Sequence, residues 1–452
     1  MSHKAILAIR GVGNEDEYFR WYSNTYDGEG VVITYSFRTS LPSDHQDILY
    51  DGADATFSTY NSQEQAVVRA ALQHYSSFTN IRFVETAAAD ALIQFGQYEI
   101  QGSITGHAYS LFYDKTQSRY NPGQVWLDTE LDYGKGGNAQ ETALHEIGHV
   151  LGLNHPFLGP NKLSGKELAS SIMGYTYDGP HNKVGVFDMM ALQSLYGPAQ
   201  ARLGTNTYKF GKDKLIWDGG GTDTIDASAA KAKVVLDLND GTWSYIGKKA
   251  SSLLSANQVY IGEFTVIENA KGSKYADKIY GNEVRNGIKG GSGNDSLDGR
   301  AGDDKLYGDA GNDLLSGGSG MDYLSGGSGN DTIRSGTDAD RLYGGSGKDK
   351  FKFNGYGDLG DLSFFDQIFD FKKEDKIDFK SFDANPEAAG RQKMTFLGNS
   401  TGDWKLNAGK AGQFYFNTAS DRLVIDANGD AVADHYIGLK GVTSMKADYF
   451  LL

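Results

Sequence analysis

The chain has 452 residues, no cysteine, 59 glycines and a formal net charge of −15. That length suits two or more domains with ample cores, and the missing thiols exclude disulfides and thiolate metal sites. The acidity disfavours nucleic acid and anionic membrane surfaces as partners; beside so much glycine it points to hard cations held by oxygen ligands. The opening MSHKAILAIRGVGNEDE holds only five consecutive apolar residues, too few for a secretory signal core, and no run reaches membrane-spanning length.

Residues 1–200 read as one mixed α+β domain. VVITYSF at 31–37 has the composition of a strand. Residues 62–78 read as a helix, with Ser62 and Gln65 in capping-box spacing. Short strands are expected at 81–85, 91–96, 107–113 and 124–129, and a last helix at 187–197, whose Met189 and Met190 read as core.

Between these lies AQETALHEIGHVLGLNHP, residues 139–156. Leu144, Ile147 and Leu151 form an apolar stripe at helical spacing. His145 and His149, four residues apart, share one helix face. Gly152 lets the chain leave the helix, Pro156 discourages its return, and the turn between can bring His155 back to the pair. Three neutral imidazoles on one point make a catalytic zinc site with an open fourth position. Glu146 is then placed as general base toward water held there. Two histidines on a surface helix are the bland alternative for a bare H-E-x-x-H, but the long form H-E-x-x-H-x-x-G-x-x-H is far rarer by accident. SIMGY at 171–175 follows with a methionine-centred turn, and the pair of motifs marks the metzincin metalloproteases.

From about residue 201 glycine and aspartate take over, and nine nonapeptide units run in succession through 272–352. GGSGNDSLD at 290 and GGSGNDTIR at 326 are clear copies. The sixth position is aspartate in every unit but one, where Asn286 stands; the eighth is always apolar, from Ile279 to Phe351. Glycines allow tight turns, aspartates supply a ladder of oxygen sites suited to calcium, and the apolar positions stack inward. The expected architecture is an all-β parallel β-roll over 201–452. A flexible linker has no reason to place an apolar residue at every ninth position. Asp426, Asn428 and Asp430 superficially suggest an EF-hand, but the glycine falls at loop position four and Ile437 stands where glutamate should close the loop.

Taken together, the zinc motif, the methionine turn, FDMMALQSLYG, the nonapeptide array, DQIFDFKKEDKIDF and the ending DYFLL resemble the serralysin family. The resemblance implies a metzincin domain followed by a calcium-binding roll. It implies an endopeptidase exported by the type I secretion machinery to the extracellular space, without stable membrane insertion, that acts on protein substrates; nothing in the sequence calls for more than a monomer. A proteinaceous inhibitor is a further partner to test for, on whose existence the sequence is silent. Carried over by residue, it implies one catalytic Zn2+ held by His145, His149 and His155, Glu146 as base, Met173 beneath the metal, and Tyr175 as resting ligand and oxyanion stabiliser. Ala108, Tyr109 and Ser110 match the edge strand that pairs with extended substrate. Several structural Ca2+ ions are implied. The first would lie on the carbonyls of Arg202 and Gly204 with Asp218, Gly220 and Asp223, and a second on Glu268 and Asp277. The ladder continues through Asp295, Asp304, Asp313, Asp322, Asp331, Asp340 and Asp349. Two departures bear on substrate preference: the stretch from Pro156 to Met173 is short for the family, and Gly174 stands where serine is usual. A calcium-dependent adhesin with an inert protease-like domain would not need all five motif residues.

Overall fold

The computed structural model describes residues 31–42, 56–87, 91–109, 112–114, 119–134, 137–157, 163, 168–174, 183–199, 202–210, 212, 214–250, 255–360, 362–383, 392–403 and 406–452. The first part is built on a five-stranded sheet. Its strands are β1 (Val31–Phe37), β2 (Ile81–Glu85), β3 (Ile93–Tyr98), β4 (Gly106–Tyr109) and β7 (Gly123–Asp128), in the order β2-β1-β3-β7-β4. All pair in parallel except β4, which runs antiparallel to β7 at the edge. Parallel neighbours need long crossovers, and α1 (Ser62–Ser76) supplies the one from β1 to β2. Central β3 is buried along its whole length, as a strand covered on both faces must be.

Two local expectations need correction. Asn61, not Ser62, caps α1: its side chain accepts from the N–H groups of Gln63 and Glu64, and the Glu64 carboxylate accepts from the Asn61 N–H at 2.7 Å. Asparagine is at least as good a cap as serine, and a charged third residue also favours the positive helix end over Gln65. The strand expected over 107–113 is two: β4 ends at Tyr109, and β5 (Phe112–Asp114) forms a hairpin with β6 (Arg119–Asn121).

Helix α2 (Ala139–Val150) lays Leu144 and Ile147, both fully buried, against the same core as Ile33, Val68 and Phe95, and Leu151 just beyond its end continues that stripe. Helix α3 (Val186–Tyr196) closes this layer and ends at Gly197 in the left-handed region. Among the described residues no helix is long and apolar enough to cross a membrane.

The second part is a parallel β-roll, so the molecule is a mixed α+β domain followed by an all-β roll. Successive repeats alternate between an 11- and a 12-stranded sheet, and each strand pairs with the one eighteen residues on: Leu297 with Leu315, Leu306 with Leu324. The eighth-position side chains from Ile279 to Phe351 form one inward row, each 1 % exposed or less. The row continues through Ile368, Ile377 and Leu439. Asp426 ends a strand, Arg422–Asp426, and the next element is the strand His435–Leu439, so the segment that superficially suggests an EF-hand is a β-turn region, not a helix–loop–helix. Leu215, Trp217 and Tyr260 at the roll's start pack into the core of the first part.

Candidate active site

α2 carries His145 and His149 on one face and ends at Val150; Gly152, at φ 98°, then turns the chain so that His155 comes back to them. The Nε2 atom of His155 lies 3.2 Å from Nε2 of both His145 and His149. The orientation of two rings is set by main-chain carbonyls: Nδ1 of His145 lies 2.8 Å from the Ile172 oxygen and Nδ1 of His149 lies 2.9 Å from that of Leu153. A carbonyl only accepts, so each Nδ1 carries the proton and each Nε2 presents its lone pair inward, as metal-binding histidines require. Burial lowers the pKa of His145, and it lowers His149 to about 3 and His155 to about 4. The imidazoles are thus neutral at pH 7, the form that ligates. Three converging neutral nitrogens fit Zn2+.

Glu146 is buried, and burial pushes its carboxyl up to about 8. Its carboxylate makes no hydrogen bond to another described residue and faces a cavity that His145 also lines. Gly106 of β4 lets the helix come this close, since a Cβ there would meet Cγ2 of Thr142 at 2.7 Å and Cγ of Glu146 at 3.0 Å.

Met173 is fully buried, with its sulfur against Gly148 of the helix that carries His145 and His149. The turn around it is tied to α3 by Asp188, which the sequence reading passed over. The Asp188 carboxylate accepts from Ser171 Oγ at 2.6 Å, from Ile172 N at 2.7 Å and from Gly185 N at 2.9 Å. Only a buried carboxylate offers that many acceptor sites in one place. Nothing in FDMMALQ marks this aspartate beyond its being a charge in an otherwise apolar helix. Gly174 has a local reason: a Cβ there would sit 2.4 Å from the Leu168 oxygen. Ala108 and Tyr109 lie on edge strand β4, which pairs only with β7 among the described residues. Ser110 and Tyr175 lie outside the described residues.

In the roll, Asp295, Asp304, Asp313, Asp322, Asp331, Asp340 and Asp349 are all buried. Each accepts through Oδ1 from the N–H eighteen residues earlier, as in Asp277 N to Asp295 at 2.8 Å and Asn286 N to Asp304 at 2.7 Å. Each Oδ2 is buried without a partner among the described residues. Burial pushes Asp295, Asp313 and Asp322 up to about 7 and Asp304 up to about 8. A Cβ on Gly299 would lie 2.2 Å from Oδ2 of Asp304 and 2.5 Å from the Gly317 oxygen. The same geometry recurs at Gly308 and Gly317. A carboxylate oxygen and a carbonyl thus share a cradle that only glycine leaves open, which fits a hard cation. Asp366 extends the row: its Oδ1 accepts from Asp340 N and its Oδ2 is unpartnered among the described residues. The spacing Asp366-x-Ile368 repeats that of the array and could have revealed it.

At the roll's start the amide Nδ2 of Asn206 donates to the Arg202 carbonyl at 2.9 Å, the Gly204 carbonyl at 2.7 Å and Asp218 Oδ2 at 3.2 Å. Three of the expected oxygens therefore meet at one point, and Asn206 was missed. Gly220 sits at φ 132°, and Asp223 accepts from Asn206 N while its Oδ2 is unpartnered among the described residues. Glu268 accepts from Asp223 N at 2.6 Å. Asp277 differs from the ladder, since both its oxygens accept, from Val234 N and from Ser273.

Residues 207–451 match the family model described as Peptidase M10 serralysin C terminal, and 43–197 match the one described as Matrixin. The metallopeptidase AprA of Pseudomonas marginalis is 30% identical over 312 residues, 58% of this chain and 63% of the relative. The serralysin of Photorhabdus laumondii is 28% identical over 60% of this chain and 63% of its own length. Serralysin G of Dickeya chrysanthemi is 28% identical over 59% and 63%. The chain thus spans less than two thirds of the length of these relatives.

Proposed function

Since this chain belongs to the serralysin family, we propose that it is a secreted, zinc-dependent endopeptidase of broad specificity, acting on extracellular or host proteins. The observation that carries the proposal is the convergence of three Nε2 atoms beside a buried carboxylate on the same helix. His145, His149 and His155 would hold the metal. When bound, zinc supplies a Lewis acid that polarises the scissile carbonyl and acidifies the attacking water. Glu146 takes the water's proton on its carboxylate and returns it to the leaving amine; its burial favours the protonated form halfway through that cycle. Tyr175 would complete the site as resting ligand and oxyanion donor, and the segment Ala108, Tyr109 and Ser110 would pair with extended substrate.

The unpartnered aspartate oxygens support the companion reading, that several calcium ions hold the roll. Calcium scarcity would keep the roll unfolded during type I export, and calcium outside the cell would fold it. The mature enzyme would act as a monomer, open to a proteinaceous inhibitor in the cleft.

Casein hydrolysis by wild type and Glu146→Ala, with zinc and calcium present, tests the reading. Cleavage by wild type should fall at least about 1,000-fold in the variant, with one zinc retained per chain in both. Equal activity in the two would remove Glu146 as base. No cleavage by folded, zinc-loaded wild type would end the broad-specificity reading.

A further inference from the structure

The cavity beside Glu146 holds a charged side chain that neither the metal site nor the base uses. It is a recess of about 480 Å³ between the start of β4 and the first turns of α2, with His145 and Glu146 on one wall and Ile172 and Gly174 of the methionine turn on another. Glu141 also lines it. Four residues before His145, it shares that helix face and lies about 6 Å farther along the axis. Its side chain forms no hydrogen bond or ion pair with another described residue. No lysine or arginine is among the described residues that line the recess. The neighbouring Thr142 hydroxyl is already engaged, donating to the Asn138 oxygen at 3.2 Å and lying 3.3 Å from Thr105 Oγ1.

The recess therefore combines an apolar wall with a second carboxylate, that of Glu141, beyond Glu146. Ile104 at the mouth, the Thr142 methyl and Ile172 can cover methylene groups. Glu141 waits about one helical turn past the reacting centre. Long basic side chains are suited to such a shape, because they bury their stems and keep the charged head for a partner. An acid in the first turn of a helix is also favoured by the helix dipole alone. The dipole accounts for an acid at this end of the helix but does not require it to line the recess that Glu146 opens into.

We propose that Glu141 selects substrates with lysine or arginine at a position flanking the scissile bond, and rejects aspartate and glutamate there. The proposal rests on the endopeptidase reading above and deepens it. The same carboxylate supplies both halves of the selectivity, attraction for a cation and repulsion of an anion.

The test uses full-length, zinc- and calcium-loaded protein and quenched peptides differing only at the two flanking residues: lysine, methionine or glutamate. In wild type the kcat/KM for lysine over methionine at one of the two positions should be about tenfold or more. Glu141→Gln should bring that ratio to near one, and Glu141→Lys should reverse it in favour of glutamate. Binding of the same peptides to the Glu146→Ala protein, read by fluorescence anisotropy, gives a second measure independent of turnover. There, too, the lysine peptide should bind more tightly, and adding Glu141→Gln should erase the difference. If wild type cleaves nothing yet this binding preference holds, the protease reading falls and the recognition role of Glu141 stands. A wild type without basic preference in either assay, or a preference that survives Glu141→Gln, overturns the proposal.

Discussion

Gly148 is the residue in HEIGH that neither binds metal nor moves a proton, and its role is steric. A Cβ there would lie 2.8 Å from the Met173 sulfur and 3.1 Å from the Tyr75 hydroxyl, which itself donates to the Leu144 oxygen at 2.5 Å. Both neighbours are fully buried and have little room to yield. Two effects of Gly148→Ala oppose one another. Alanine gains about 1 kcal/mol of helix propensity, whereas forcing a methyl into a close-packed contact loses about 1–3 kcal/mol. Overpacking should win, because both groups the methyl would displace are fully buried beside the helix that carries His145 and His149. The expected result is a net loss of about 1 kcal/mol in urea unfolding, with weaker zinc retention against a chelator. A variant as stable as wild type, with unchanged metal affinity, would show that the methionine turn can retreat freely.

At the scale of elements, the zinc helix was legible because two periodicities coincide there: the apolar stripe Leu144, Ile147, Leu151 and the histidines one turn apart. Asp188 was not legible, since what defines it is three donors from two other segments. The same holds for the break after Tyr109. HAYSLFY has neither glycine nor proline, and the break follows from tertiary pairing, with β4 in register with β7 down to Tyr109 opposite Gln124 while β5 pairs with β6. Asp188 also links elements in a functional sense. It holds the N–H of Ile172, and the carbonyl of that residue holds Nδ1 of His145. Asp188→Asn keeps the shape but presents an amide NH2 to donors, leaving buried N–H groups unsatisfied. The expected loss is about 2–4 kcal/mol of stability. Zinc affinity should fall along with casein cleavage, whereas the roll's calcium response should not change. Full zinc affinity in a stable Asp188→Asn protein would sever the proposed link to His145.

For the whole molecule, the repeat made the array at 272–352 legible almost residue by residue, because one nine-residue rule places its inward apolar row and its ladder of buried aspartates. What the period hides is the consequence of that burial for pH. The ladder carboxyls stand above the ordinary aspartate value of 3.8, several near 7, and the chief cause is desolvation. A raised carboxyl pKa means the folded roll binds protons more tightly than the unfolded chain. Stability of the metal-free roll is then fully present below about pH 4 and is lost as pH rises through about 6–8. The ladder carboxyls all act in this direction, and they act against a domain stability that is only about 5–15 kcal/mol. Calcium reverses the sign, because a bound cation stabilises the ionised carboxylates that burial penalises. Chelated protein should therefore keep its β signal in circular dichroism at pH 5 and lose it at pH 8. Added calcium should restore the signal at pH 8 and change little at pH 5. A β signal that survives chelation equally at both values would mean that the inward apolar row holds the roll without help. The aspartates would then be tolerated there, not needed.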